Sequence, residues 1–198
     1  CSSDLIPPEK ISFALNQRLP DDIRIQESCQ VADDFHPRFC DTIKTYEYRI
    51  WNDKFPNPLV RLYSKFCYFN VDVAKMEQAA AYLVGEHDFK SFCTPRTQVE
   101  STVRTVTEIS FRTEGKMIIM TIRGTGFLYN MVRIIAGTLI RVGGGYYPPK
   151  HVKEILEVKN RELAGETARP EGLTLVEIRY PEWEAKKDGH HVSVDPLP

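Results

Sequence analysis

Residues 124–145, GTGFLYNMVRIIAGTLIRVGGG, join a glycine-punctuated turn to a run that is apolar almost all the way round a helix. Met131, Val132, Ile134, Ile135, Ala136, Leu139, Ile140 and Val142 leave it no polar stripe wide enough to face water. A helix of that kind is packed on more than one side, inside a domain. It carries one guanidinium, Arg133, between Val132 and Ile134. A charge left buried and unpaired is very costly, so Arg133 calls for an anionic partner.

A chain of 198 residues, 42% hydrophobic and 27% charged, is long enough for one sizeable core or two small lobes. No run approaches the roughly 18 apolar residues of a membrane helix, and residues 1–10 lack a signal-peptide layout, so a cytoplasmic protein without a membrane partner is expected. Cys1, Cys29, Cys40, Cys67 and Cys93 are far apart, with no CxxC and no His at metal spacing. Reduced structural thiols are expected, with neither a disulfide scaffold nor a metal. The net charge of −1 does not announce a nucleic-acid binder, so any polyanion site must be a local concentration of Arg and Lys.

In chain order, Pro7-Pro8-Glu9 opens a short helix that Pro20 closes, and Ile23 and Ile25 alternate with Arg24 and Gln26 as a strand would, weakly as far as Val31. Asp34-Phe35-His36-Pro37-Arg38-Phe39 is an extended polar and aromatic segment. Residues 44–51, KTYEYRIW, alternate cleanly and predict a strand, with Tyr46, Tyr48 and Ile50 on one face. From spacing alone Tyr46 is either a core aromatic with a satisfied hydroxyl or a platform on which a base stacks. Residues 61–69 offer a short strand or irregular segment. Asp72 caps a helix that Gly85 ends.

Glu86-His87-Asp88-Phe89 is expected to be a turn, and residues 91–102 a polar, mobile loop. Residues 103–112 and 117–123 predict a hairpin about Thr113-Glu114-Gly115, delivering the chain into the apolar helix. Gly143-Gly144-Gly145 ends that helix, and no GK[ST] follows to make a phosphate loop. Pro148-Pro149 starts another helix, and residues 173–180 form a last strand. The tail from 182 is expected to be disordered. Strands segregated from helices give an α+β domain on a mainly antiparallel sheet. A metal-dependent hydrolase built on His36, His87 and Asp88 is disfavoured, because their spacing follows neither helix nor strand.

Several stretches, in order, resemble the TruA family of tRNA pseudouridine synthases: ALNQRLPDDIRI (14–25), DDFHPRF (33–39), KTYEYRIWN (44–52), LVGEHDFKSF (83–92), TVRTV (102–106), GTGFLYNMVRIIAGTLIRVG (124–143) and ARPEGLTLVEIRYP (168–181). The resemblance implies a pseudouridine-synthase fold, a mainly antiparallel mixed sheet flanked by helices. Residues 1–32 would be the end of one lobe and 33–181 a second. It also implies a homodimer holding tRNA, isomerisation of uridines 38 to 40 in the anticodon stem-loop, and no cofactor or metal.

That chemistry detaches uracil from C1′, turns it and rejoins it through C5. It needs a carboxylate nucleophile, an aromatic surface and a cation to hold the carboxylate ionised, with the target base turned out of its helix. By the resemblance Tyr46 stacks on the base, Arg133 pairs with the nucleophilic aspartate, and Leu173 walls the pocket. His36, Arg38 and Arg104 contact RNA or brace the site. The family's aspartate motif, roughly Gly-Arg-Thr-Asp-Ala-Gly-Val-His, does not occur in these residues, and Asp4 lacks its context. The chain is therefore expected to be the C-terminal portion of a synthase, inactive alone. The alternative is a non-catalytic RNA-binding protein of the same fold.

Overall fold

The structure, a computed structural model, describes residues 6–94 and 99–181. The expected tail disorder from 182 and the central part of the expected loop, residues 95–98, lie outside the described residues. The chain divides into two compact units, 1–40 and 41–198.

In the first unit a 3-10 turn (Pro8–Lys10) leads into α1 (Ile11–Asn16). The strand expected at 23–31 does not form. A strand needs a partner, and here the N–H and C=O of Ile25 are both taken by the side-chain amide of Asn16, at 2.8 Å each. This satisfies the backbone without a ladder.

The second unit is a six-stranded sheet covered by helices. Its strands are β1 (Ile43–Asn52), β2 (Lys65–Cys67), β3 (Gly85–Asp88), β4 (Val103–Glu114), β5 (Met117–Gly124) and β6 (Leu173–Arg179). The order is β2-β1-β5-β4-β3, with β6 pairing β1 beyond the short β2. Every pairing is antiparallel except β1 with β2. The α+β reading and its mainly antiparallel sheet stand. The hairpin expected from residues 103–123 forms as β4 and β5, with Gly115 at φ 60° in its turn.

Two local expectations are corrected. Residues 85–88 are an edge strand, not a turn: β3 pairs with Val103–Val106, and tertiary pairing outweighs the poor strand propensity of Gly-Glu-His-Asp. Within the expected mobile loop, residues 91–93 are buried, and the Ser91 hydroxyl donates to the Ile155 carbonyl at 2.6 Å.

α2 (Val73–Ala80), α3 (Met131–Gly143) and α4 (His151–Val158) form one core with the sheet face that carries Tyr48, Ile50, Met120 and Ile122. The Asp72 side chain accepts from the Lys75 N–H and caps α2. Eleven of the thirteen α3 residues are buried, and each buried Leu or Ile there contributes about 1.5–3 kcal/mol. Gly137 is a site of close approach, because a Cβ there would overlap the carbonyl oxygen of Glu166. The 164–168 segment can thus cross directly over α3, clasped where the Gly165 N–H donates to the Thr138 hydroxyl at 2.9 Å.

Candidate active site

Tyr46 sits on β1 between Ile122 of β5 and Leu175 of β6. Extra residues enter two ladders at this end of the sheet: Val176 in β1–β6, between the partners of Thr45 and Tyr46, and Thr107 in β4–β5, between Val106 and Glu108. Such bulges re-aim strands and recur beside active sites. The half-buried Tyr46 ring meets Phe127 edge-on, centroids 5.3 Å apart. Phe127 can lie there because Gly124 has no side chain: a Cβ would stand 3.2 Å from the Phe127 ring and 2.6 Å from the Thr105 carbonyl oxygen. Burial pushes the Tyr46 phenol above its ordinary pKa, so it is protonated at neutral pH.

The same turn leads into α3 and Arg133. Asn130, the residue before the helix, adopts φ 61°, a left-handed conformation that asparagine tolerates. Its Oδ1 accepts from Arg133 Nη1 at 3.1 Å while its Nδ2 donates to the Thr94 hydroxyl at 3.1 Å. Arg133 Nε donates to the Ala168 carbonyl at 2.7 Å. Among the described residues no carboxylate forms an ion pair with Arg133. The guanidinium is half-buried, held in place by neutral oxygens.

Tyr48, two residues along the same face of β1, donates its hydroxyl to the Arg169 carbonyl at 2.8 Å. Burial is the main cause that pushes its phenol well above the ordinary value, with Arg133 opposing and Glu171 and Glu166 reinforcing. Leu173 opens β6 opposite Tyr48 and packs against the core. Arg104, on β4 opposite His87, lays its side chain over Gly126, where a Cβ would be 3.6 Å from its Cδ. Its guanidinium donates to the Ser101 carbonyl at 3.0 Å.

The fold therefore brings Tyr46, Arg104, Arg133 and Leu173 around the 124–130 turn and the 168–173 segment. His36 and Arg38 belong to the other unit, where His36 Nδ1 accepts from the Arg38 N–H at 3.2 Å and its ring stacks tilted on Phe39 at 4.4 Å. His87 and Asp88 are engaged elsewhere. The His87 ring contacts the Val84 carbonyl at 3.0 Å, and Asp88 pairs with Lys159 at 2.8 Å. Hydrogen bonds from Lys159 and Thr102 hold the Asp88 carboxyl below its ordinary range. Among the described residues no group of three His, Cys, Asp or Glu is placed to hold a metal, and no helix is long and apolar enough to cross a membrane.

Sequence reading missed Asn130, Phe127 and Tyr48. Asn130, an amide immediately ahead of a helix, reads as an N-cap, but its side chain makes no cap bond and holds Arg133 and Thr94 instead. The Tyr48 bond to Arg169 spans 121 residues and left no signal.

Residues 79–181 match a family described as tRNA pseudouridine synthase. Over 175 residues the chain is 44% identical to tRNA pseudouridine synthase A of Bacillus pumilus, covering 88% of this chain and 71% of the relative. The protein of the same name from Brevibacillus brevis is 47% identical over 175 residues, with 88% and 72% covered. The one from Bacillus subtilis is 44% identical over 176 residues, with 88% and 71% covered.

The chain belongs to the tRNA pseudouridine synthase family.

The family match contains Arg104, Arg133 and Leu173. Tyr46, His36 and Arg38 precede the match but lie in stretches already noted for their likeness to the family.

Proposed function

We propose that this chain supplies the aromatic and cationic half of a uridine-isomerising site, for uridines 38 to 40 of a tRNA anticodon stem-loop. The nucleophilic aspartate comes from outside these 198 residues, and the chain alone does not turn over. Tyr46 stacks on the turned-out base, Arg133 pairs with the incoming carboxylate, and Leu173 walls the pocket. His36, Arg38 and Arg104 contact RNA or brace the site. The assembled enzyme is a cytoplasmic homodimer, as the family resemblance implies.

The observation that carries this reading is the state of Arg133. Its Nε and Nη1 are fixed by Ala168 and Asn130, and Nη2 keeps no partner among the described residues. A guanidinium pre-positioned by neutral acceptors suits a carboxylate, which takes a charge-assisted bond from it. That bond would keep the acid ionised.

The test is binding of an unmodified anticodon stem-loop RNA to the chain. Saturable binding that weakens about tenfold in Tyr46→Ala is expected, since stacking on one base contributes about 1–3 kcal/mol. Absence of binding, or Tyr46→Ala binding as well as the parent, would overturn the proposal.

A further inference from the structure

A cleft of about 540 Å³ lies between the 51–66 stretch and residues 166–171. Its size is within the range of small-molecule sites, about 300–1,000 Å³. Aromatic rings, cations and carboxylates meet in it, and its groups are unequally committed. Lys65 and Glu166 are paired at 3.4 Å and largely cancel. Arg61 and Arg169, both lining residues and both exposed, form no ion pair with any described carboxylate. The remaining acid, Glu171, has its Oε2 buried without a hydrogen-bond partner among the described residues. That oxygen is sealed from solvent, so what Glu171 offers a ligand in the cleft is its other carboxylate oxygen. Trp51 spends its indole N–H on the Phe55 carbonyl at 3.1 Å, so what it offers the cleft is its ring. Phe66 offers another, 37% exposed.

A ligand that answers all of these groups has a flat ring for Trp51 and Phe66, an N–H edge for Glu171, and a phosphate for the two arginines. That is a nucleotide, and the acid narrows the base. An ionised carboxylate only accepts. Guanine presents two adjacent donors, N1–H and the N2 amino group. The single N3–H of uracil lies between two carbonyl oxygens that the carboxylate would repel.

The cleft also adjoins the candidate site. Residues 169–172 form a shared wall, closed by the Tyr48 hydroxyl on the Arg169 carbonyl and by Gly172, where a Cβ would stand 2.8 Å from the Tyr48 ring. We propose that this cleft binds one guanine nucleotide of the RNA strand whose uridine occupies the Tyr46–Arg133 site. The proposal rests on the tRNA reading above.

The probes are the pentaribonucleotides UUGUU and UUUUU and free 5′-GMP. Binding is read from Trp51 fluorescence in the chain with Trp183→Phe. UUGUU is expected to bind about tenfold tighter than UUUUU, the discrimination of one good base-edge contact. It should also bind more tightly than GMP, because flanking phosphates add contacts to Arg61 and Arg169. Glu171→Gln should erase the guanine preference, Arg61→Ala should weaken both pentamers alike, and Tyr46→Ala should preserve the preference.

Equal binding of the two pentamers, or a preference lost in Tyr46→Ala but kept in Glu171→Gln, would overturn the assignment. GMP binding as tightly as UUGUU would mark a free-nucleotide site and overturn the RNA assignment. Unmodified tRNA, titrated in parallel, separates the two readings. Absence of tRNA binding with the guanine preference intact overturns the tRNA reading and supports the cleft. Binding of tRNA unaffected by Glu171→Gln and Arg61→Ala overturns the cleft alone.

Discussion

Arg133 and Ala168 hold each other twice: Arg133 Nε donates to the Ala168 carbonyl at 2.7 Å, and the Ala168 N–H donates to the Arg133 carbonyl at 3.1 Å. The exchange ties the first turn of α3 to the segment that leads into β6. One side chain thereby fixes both the helix that carries the cation and the strand that carries Leu173.

Arg133→Ala should therefore cost stability as well as function. The lost side-chain bond comes from a charged donor and leaves a carbonyl without it, so a loss of about 1–3 kcal/mol is expected in urea unfolding. Arg133→Lys keeps the charge but not the planar fork that reaches Ala168 and Asn130 together, and should recover only part of the loss. Full recovery by lysine would show that the fork geometry is irrelevant.

Gly137→Ala meets backbone, not a movable side chain, at the Glu166 carbonyl. Overpacking of this kind costs about 1–3 kcal/mol, and the upper end is expected. The 164–168 crossing should shift, weakening the grip on Arg133. Unchanged unfolding of Gly137→Ala would contradict the close approach.

Glu47 lies on the sheet face away from the helices, 8% exposed, and accepts from Arg112 at 2.8 Å and Arg49 at 3.0 Å. Burial alone would push its carboxyl up, but the two guanidinium groups hold it below the ordinary value. A depressed folded pKa gives stability that is whole above the unfolded value, about 4.3, and is lost as pH falls through the folded one. Glu47→Gln should be less stable at pH 7 by about 1 kcal/mol, near the low end because both arginines are partly in water. Its stability should fall less steeply below about pH 4.3. Parallel acid limbs for parent and variant would contradict the assignment.

How much of this was legible before the structure depends on how local each cause is. The buried helix was legible because its apolar residues leave no polar face, and the β4–β5 hairpin because alternation and Gly115 are both short-range signals. Strand β3 was not, since its four residues gain strand geometry from Val103–Val106 rather than from their own propensity. The strand expected from Ile23 failed for the converse reason: alternation was present, but the Asn16 amide took the groups a ladder needs. For the site, Arg133 stood out as a charge among apolar neighbours, while spacing left Tyr46 open between core aromatic and stacking platform and only the family resemblance gave it a role. The Asn130–Arg133–Ala168 arrangement, whose Arg133 and Ala168 lie 35 residues apart, could be seen only in three dimensions.

The central claim is that these 198 residues frame a uridine site whose nucleophile lies elsewhere. It is tested most directly by incubating the chain with unmodified tRNA carrying C5-tritiated uridine, measuring bound tRNA and released tritium in the same samples. Bound tRNA with no tritium release above the protein-free control is the expected result, whereas release above that control would contradict the claim.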